Sequence, residues 1–147
     1  MSKETDYGIL LLTYFASVPE MLTLSARELA KGTQLPLPMV SKILKILAKE
    51  ELLISHRGAK GGYGLAKLPR EISLTDIITA IDGPFALTEC IEHPGDCRLE
   101  SSCRVRTNWE MINQAVQQAL EGVTLAKMAQ PLRHNLVSLE SGFEQPA

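Results

Sequence analysis

The chain has 147 residues, 45% hydrophobic and 22% charged, which suits one domain with an ordinary core and excludes disorder throughout. No apolar run nears the roughly 20 residues of a membrane span. Lys3, Glu4 and Asp6 ahead of the short apolar stretch 9–12 do not lay out a signal peptide, so the expectation is a soluble cytoplasmic protein with no membrane partner.

The first helix is expected over residues 5–17, apolar nearly all round and so buried on several sides, with Pro19 marking its end. Ser25 and Glu28 form a capping box that opens a short second helix, which Gly32 or Thr33 stops. Leu35-Pro36-Leu37-Pro38 makes a turn, with Pro38 suited to the first position of a third helix running to about Glu50. Leu52, Leu53 and Ile54 start a strand, residues 57–62 turn, and residues 63–66 return as a second strand that Pro69 breaks. Ser73 caps a helix ending near Gly83 and Pro84, a cysteine-bearing segment follows, and a long helix is expected over about 105–122 with a short one at 124–129. The fold class is therefore mainly α with a small β-hairpin wing: a winged helix–turn–helix plus a long dimerisation helix. The expected divisions are the winged helix–turn–helix over 1–84, a cysteine-rich loop over 85–104, the long and C-terminal helices over 105–137, and a loose tail over 138–147.

The net charge of −2 hides a split, because residues 1–70 hold ten Lys and Arg against six Asp and Glu, and residues 71–147 hold five against eleven. A basic half can guide encounter with a polyanion even when the whole chain is acidic. In the third helix Val40, Ile43, Leu44 and Leu47 share one face, and Lys42, Lys45 and Lys49 share the opposite one. A helix docked by its apolar side with cations outward is what the major groove of duplex DNA requires. Taken alone, it is better read as an ordinary amphipathic helix with a solvated lysine face. The hairpin shifts the balance, because Arg57, Gly58, Lys60, Gly61 and Gly62 put two cations on a tip of little bulk, able to approach another backbone closely. Ser25, at the start of the second helix, and Pro38, Met39 and Ser41, in the first turns of the third, join Lys42, Lys45, Arg57, Gly58 and Lys60 as candidate DNA contacts. The glycines do not form a phosphate loop, since Tyr63 stands where Lys-Ser/Thr is needed, nor a dinucleotide fingerprint, since Lys67 stands where a small residue is needed. No nucleophile elbow or paired acid/base motif is present, and His93 near Cys90 and Cys103 is a weak sign of catalysis, so no enzyme activity and no small-molecule substrate are expected.

Three cysteines, Cys90, Cys97 and Cys103, fall within 14 residues. Their odd number argues against a closed disulfide framework, and their clustering favours a metal or redox site. Zinc would suit three Cys and one His but usually shows a closer cysteine pair. Thiol oxidation needs no metal.

With these pieces in place, the sequence resembles the bacterial winged-helix regulators that include the Isc regulator and the nitric-oxide-sensing NsrR. The resemblance rests on Thr5-Asp6-Tyr7-Gly8, on Leu29-Ala30, on PLPMVSKIL at 36–44, and on RGAKGGYGLA at 57–66. It continues through ISL at 72–74, the triple cysteine, Asn108-Trp109 and VTL at 123–125, and covers residues 3 to about 130. The segment GPFALTEC at 83–90 resembles the branch regulating Suf-type iron–sulfur assembly genes.

The resemblance implies a homodimer on a double-stranded DNA operator of two related half-sites, acting as a repressor that senses iron–sulfur, redox or nitric oxide status. It implies Cys90, Cys97 and Cys103 as ligands of an iron–sulfur cluster, 2Fe–2S ahead of 4Fe–4S, in a C-x6-C-x5-C spacing. Arg106 stands where the Isc regulator has a histidine ligand, whereas Asp6 matches the aspartate that NsrR-type members take from the partner subunit. Glu92, His93, Asp96 and a non-protein ligand remain alternatives for the fourth position, and Asp6 is also placed to act as a helix N-terminal carboxylate. A cluster-free regulator using thiol oxidation or zinc is the alternative function. The resemblance departs at Gln34, where many helix–turn–helix sequences carry the turn glycine. In the long helix Val105, Trp109, Ile112, Val116, Ala119 and Val123 are spaced alternately by four and three, which marks either a dimerisation seam or packing on the chain's own domain.

Overall fold

In the computed structural model, which describes residues 1–19, 22–59, 61–85 and 105–130, Ser2 opens the first helix. Its hydroxyl oxygen accepts from the Thr5 N–H at 3.2 Å, so α1 spans Lys3–Ser17 and starts two residues before the expected position. Thr5, Gly8, Leu11, Leu12 and Phe15 are buried while Leu10 is exposed, so one broad side of α1 carries the packing. That side meets the second, third and fourth helices, the second strand and the last helix.

The capping box forms as expected: Ser25 Oγ accepts from the Glu28 N–H, and Glu28 Oε2 accepts from the Ser25 N–H at 2.7 Å. The helix it opens, α2, spans Ala26–Thr33. Neither Gly32 nor Thr33 makes the turn. Gln34 itself takes the left-handed conformation, φ 60° and ψ 28°, so the turn geometry is preserved without a glycine. Next comes α3, Leu37–Lys49, with Pro36 at its N-cap, so Leu37 rather than the expected Pro38 is its first residue and Pro38 its second. Val40, Ile43, Leu44 and Leu47 are fully buried. Each such side chain contributes about 1.5–3 kcal/mol relative to exposure, which fixes the rotation of α3 and turns its lysine face outward.

Two antiparallel strands form the wing, β1 at Leu53–His56 and β2 at Gly62–Leu65, with Leu53 opposite Leu65 and His56 opposite Gly62. A further pairing holds the wing to the body. Leu24 N–H donates to the Tyr63 carbonyl at 2.9 Å, and Tyr63 N–H to the Leu24 carbonyl at 2.7 Å. Gly62 permits it, because a Cβ there would lie 2.5 Å from the Leu24 carbonyl oxygen.

A 3-10 turn at Pro69–Glu71 leads to α4, Leu74–Asp82, which Ser73 and Asp76 cap reciprocally. The long helix, α5, spans Arg106–Glu121, and α6, Leu125–Met128, is capped by Thr124. Leu125 N–H donates to the Ile72 carbonyl at 2.7 Å, and the Leu125 side chain is fully buried in the core with Leu11, Leu12, Leu44 and Ile77. The short last helix is thereby part of the winged-helix body. Among the described residues, no helix is long and apolar enough to cross a membrane.

Candidate nucleic-acid interface and sensor ligands

The apolar stripe of α3 determines what its other side presents. Pro38, Lys42, Lys45 and Lys49 recur at spacings of four, three and four, and all are exposed. Ser41 and Met39 are half-buried beside them. No side chain caps α3 at its start, and Pro38 has no N–H to satisfy, so the first turn leaves only the Leu37 and Met39 N–H groups for an acceptor. Ser25 is half-buried, and its oxygen is engaged in the capping box while its O–H can still donate. On the wing, Arg57, Gly58 and Ala59 are exposed, Gly58 has φ 116°, and Gly61 N–H closes the turn on the Gly58 carbonyl at 2.9 Å. Lys60 lies outside the described residues.

Two contacts of the site have no local sequence signal. Lys42 Nζ lies 3.5 Å from Glu4 Oε1, pairing the recognition helix with the first turn of α1. In the same turn, Ser2 N–H donates to Asp82 Oδ2 at 2.9 Å and Ser2 Oγ donates to Asp82 Oδ1. Partial burial pushes the Asp82 carboxyl up. Hydrogen bonds from the Ser2 hydroxyl, the Ser2 N–H and the Thr5 hydroxyl outweigh it and hold the group below its ordinary value of 3.8. The tie joins the start of α1 to the end of α4, immediately before the segment that leads to the cysteines.

Cys90, Cys97 and Cys103 lie outside the described residues, as do Glu92, His93 and Asp96. Asp6 is described: it stands in the first turns of α1 with an exposed side chain. Ser2 caps that helix, and Asp6 is one of the acids of its first turn, as the macrodipole favours, with its carboxylate facing solvent. Three thiolates and one exchangeable carboxylate make a donor set that fits an iron–sulfur cluster.

The seam residues divide. Val105, Trp109, Ile112 and Ala119 are exposed, while Val116 and Val123 are half-buried. The side of α5 that meets α4 runs through Asn113, Val116, Gln117 and Leu120, and Asn113 is 6% exposed with its Nδ2 3.4 Å from the Phe85 carbonyl oxygen. An apolar strip of Val105, Trp109 and Ile112, each 38–48% exposed, remains beside it.

Comparison with known proteins agrees with this architecture. The family model described as Rrf2, iron-dependent transcriptional regulator, matches residues 1–131. The transcriptional regulator NsrR of Shouchella clausii is 28% identical over 126 residues, covering 85% of each chain. The structure of CymR, the global cysteine regulator of B. subtilis, superposes with a TM-score of 0.71 at 27% identity, covering 88% of this chain and 95% of CymR. IscR of T. potens shares the fold, with a TM-score of 0.66 at 24% identity over 100% of this chain and 93% of that one. These are regulators of transcription rather than enzymes, and the chain belongs to the Rrf2 family of winged-helix transcriptional regulators.

Proposed function

We propose that the chain binds operator DNA as a homodimer through α3 and the wing, and that a cysteine-ligated iron–sulfur site governs this binding. The observation that carries the DNA reading is the exposed row of Pro38, Lys42, Lys45 and Lys49 on α3. The wing, hydrogen-bonded to Leu24 and with exposed Arg57 at its tip, adds a second contact. Lys42 and Lys45, with Ser41 and Met39, face base edges or phosphates of the major groove, and Ser25 donates to the flanking backbone. Arg57, Gly58 and Lys60 follow the adjacent minor groove. A dimer seated on two half-sites over a promoter blocks access to it, which makes repression the expected action.

Cys90, Cys97 and Cys103, with Asp6 of the partner subunit, would hold a 2Fe–2S cluster. When bound, the cluster supplies chemistry sensitive to iron–sulfur, redox or nitric oxide status. The iron-dependent description of the family and the exposed Asp6 carboxylate support this assignment. Asp6 rides on α1, and α1 packs directly on α3, so the ligand position and the DNA-reading helix belong to one packing unit.

The likeness to the global cysteine regulator CymR favours a second reading, in which the three thiols respond without a metal. The visible spectrum of anaerobically purified protein, with iron and acid-labile sulfide assayed on the same sample, separates the two. Broad sulfide-to-iron absorption with both elements present supports the cluster. A colourless protein after reconstitution with iron and sulfide supports the thiol reading. For DNA, Lys45→Ala is expected to lower the slope of log affinity against log salt by about 1 if it contacts phosphate. Arg57→Ala is expected to weaken binding by about 1–3 kcal/mol if it reads a base. An unchanged affinity for both variants overturns the interface.

A further inference from the structure

The first turn of α1 reaches two other helices within three residues. Ser2 is bonded to Asp82 at the end of α4, and Glu4 is paired with Lys42 in the middle of the α3 cationic row. The position of Glu4 is set by its backbone. Ser2 anchors the helix start, and one turn later Gly8 packs so closely that a Cβ there would collide with Ile81 Cδ1 of α4 and touch Ile43 of α3 at 3.6 Å. Lys42 and Glu4 side chains are 60% and 33% exposed, so the pair is reachable by solvent and by any ligand laid on α3. Lys45 and Lys49 have no carboxylate partner among the described residues. An acid fixed against one cation of a polyanion-binding row lowers the local positive potential. The pair must also open or be shared when a phosphate arrives.

We infer that Glu4 is an affinity-limiting residue of the DNA site: its carboxylate competes with DNA for the Lys42 ammonium. The inference rests on the DNA-binding reading above and deepens it. It makes the start of α1 the element that sets how much of the recognition-helix charge is available.

The test is a double-mutant cycle on the full-length protein, read by fluorescence anisotropy. The probes are the tightest-binding duplex recovered from a random-sequence pool and a mixed-sequence duplex of equal length. Glu4→Gln is expected to tighten binding by about two- to fivefold near 0.05 M salt, the range that an exposed pair commands, and the gain shrinks as salt rises. In a Lys42→Ala background Glu4→Gln is expected to bring no gain. A Glu4→Gln protein that binds as the wild type does overturns the inference alone. An equal gain in the Lys42→Ala background also overturns it, since Glu4 then acts as a general negative charge. Wild-type protein that binds neither duplex overturns the DNA reading and this inference together.

Discussion

Gln34 and Glu51 hold φ of 60° and 62°, and they sit at the ends of α2 and α3, the two helices of the DNA-reading motif. The left-handed region costs a residue with a Cβ about 1–2 kcal/mol, while glycine carries an entropic penalty in the unfolded chain of about 0.4–1 kcal/mol. Gln34→Gly and Glu51→Gly are each therefore expected to stabilise the fold by a few tenths to about 1 kcal/mol, measured as a rise in the denaturant midpoint at constant slope. The end of α3 at about Glu50 was legible in the sequence, and the family resemblance put the turn position at Gln34. The left-handed backbone at Gln34 and Glu51 was not legible, because Gln and Glu carry no turn signature. Asp82 gives a pH prediction with a definite sign. Its carboxyl is held below 3.8 in the folded chain, so its contribution is fully present above that value and fades as pH falls through the lowered one. Asp82→Asn is expected to lower the melting temperature at neutral pH, with the two proteins converging in acid below the usual carboxylate range. A constant difference at all pH values would mean that Asp82 acts by packing and not by charge.

Elements were more legible than the contacts between them. The 3.6-residue spacing of Val40, Ile43, Leu44 and Leu47 placed α3, its buried side and its cationic side, and all four are fully buried. Capping residues Ser25 and Ser73 placed the starts of α2 and α4. By contrast, Leu24 pairs with Tyr63, Glu4 with Lys42, and Ser2 with Asp82 at separations of 38 and 80 residues for the last two. No local pattern encodes such partners, because they follow from how the helices cross. The wing illustrates the consequence. The glycine-rich tip reads as bulk removed for an approaching ligand, yet Gly62 is needed by the chain itself, where Leu24 passes behind it. Gly62→Ala is expected to break the two Leu24–Tyr63 hydrogen bonds and to destabilise the fold by about 1–3 kcal/mol. Faster amide exchange at Leu24 and Tyr63 should accompany it, with α5 unaffected. A wing that keeps its protection in this variant would show that the Leu24 strand can shift at little expense.

At the scale of the whole molecule, the apolar strip on α5 is the feature that one chain leaves unresolved. Trp109 and Ile112 are 38% and 46% exposed, and Val105 is 48% exposed, on a helix whose neighbouring face is already laid on α4 through Asn113, Val116 and Leu120. The four-and-three spacing of the strip was legible in the sequence, but its split was not. Val116 belongs to the covered side, where with Leu120 it lines a cavity shared with Ile78 and Asp82 of α4 and with Met1 and Ser2. Exposed large side chains at helical spacing are what a helix–helix interface between copies needs, and a regulator on two half-sites needs such an interface to fix their separation. Substituting these positions tests the proposal cleanly because they do not support the monomer core. Ile112→Asp with Trp109→Ser is expected to leave the melting temperature within a few degrees of the wild type, since surface changes usually fall within about 0.5 kcal/mol. The same variant is expected to halve the mass measured by analytical ultracentrifugation at micromolar concentration. It should also bind a single half-site as the wild type does while losing the extra affinity for the paired operator. If the variant remains dimeric, α5 does not form the interface through this strip. If it becomes monomeric yet keeps full operator affinity, the two DNA-reading helices act independently, and the spacing of half-sites carries no information for this regulator.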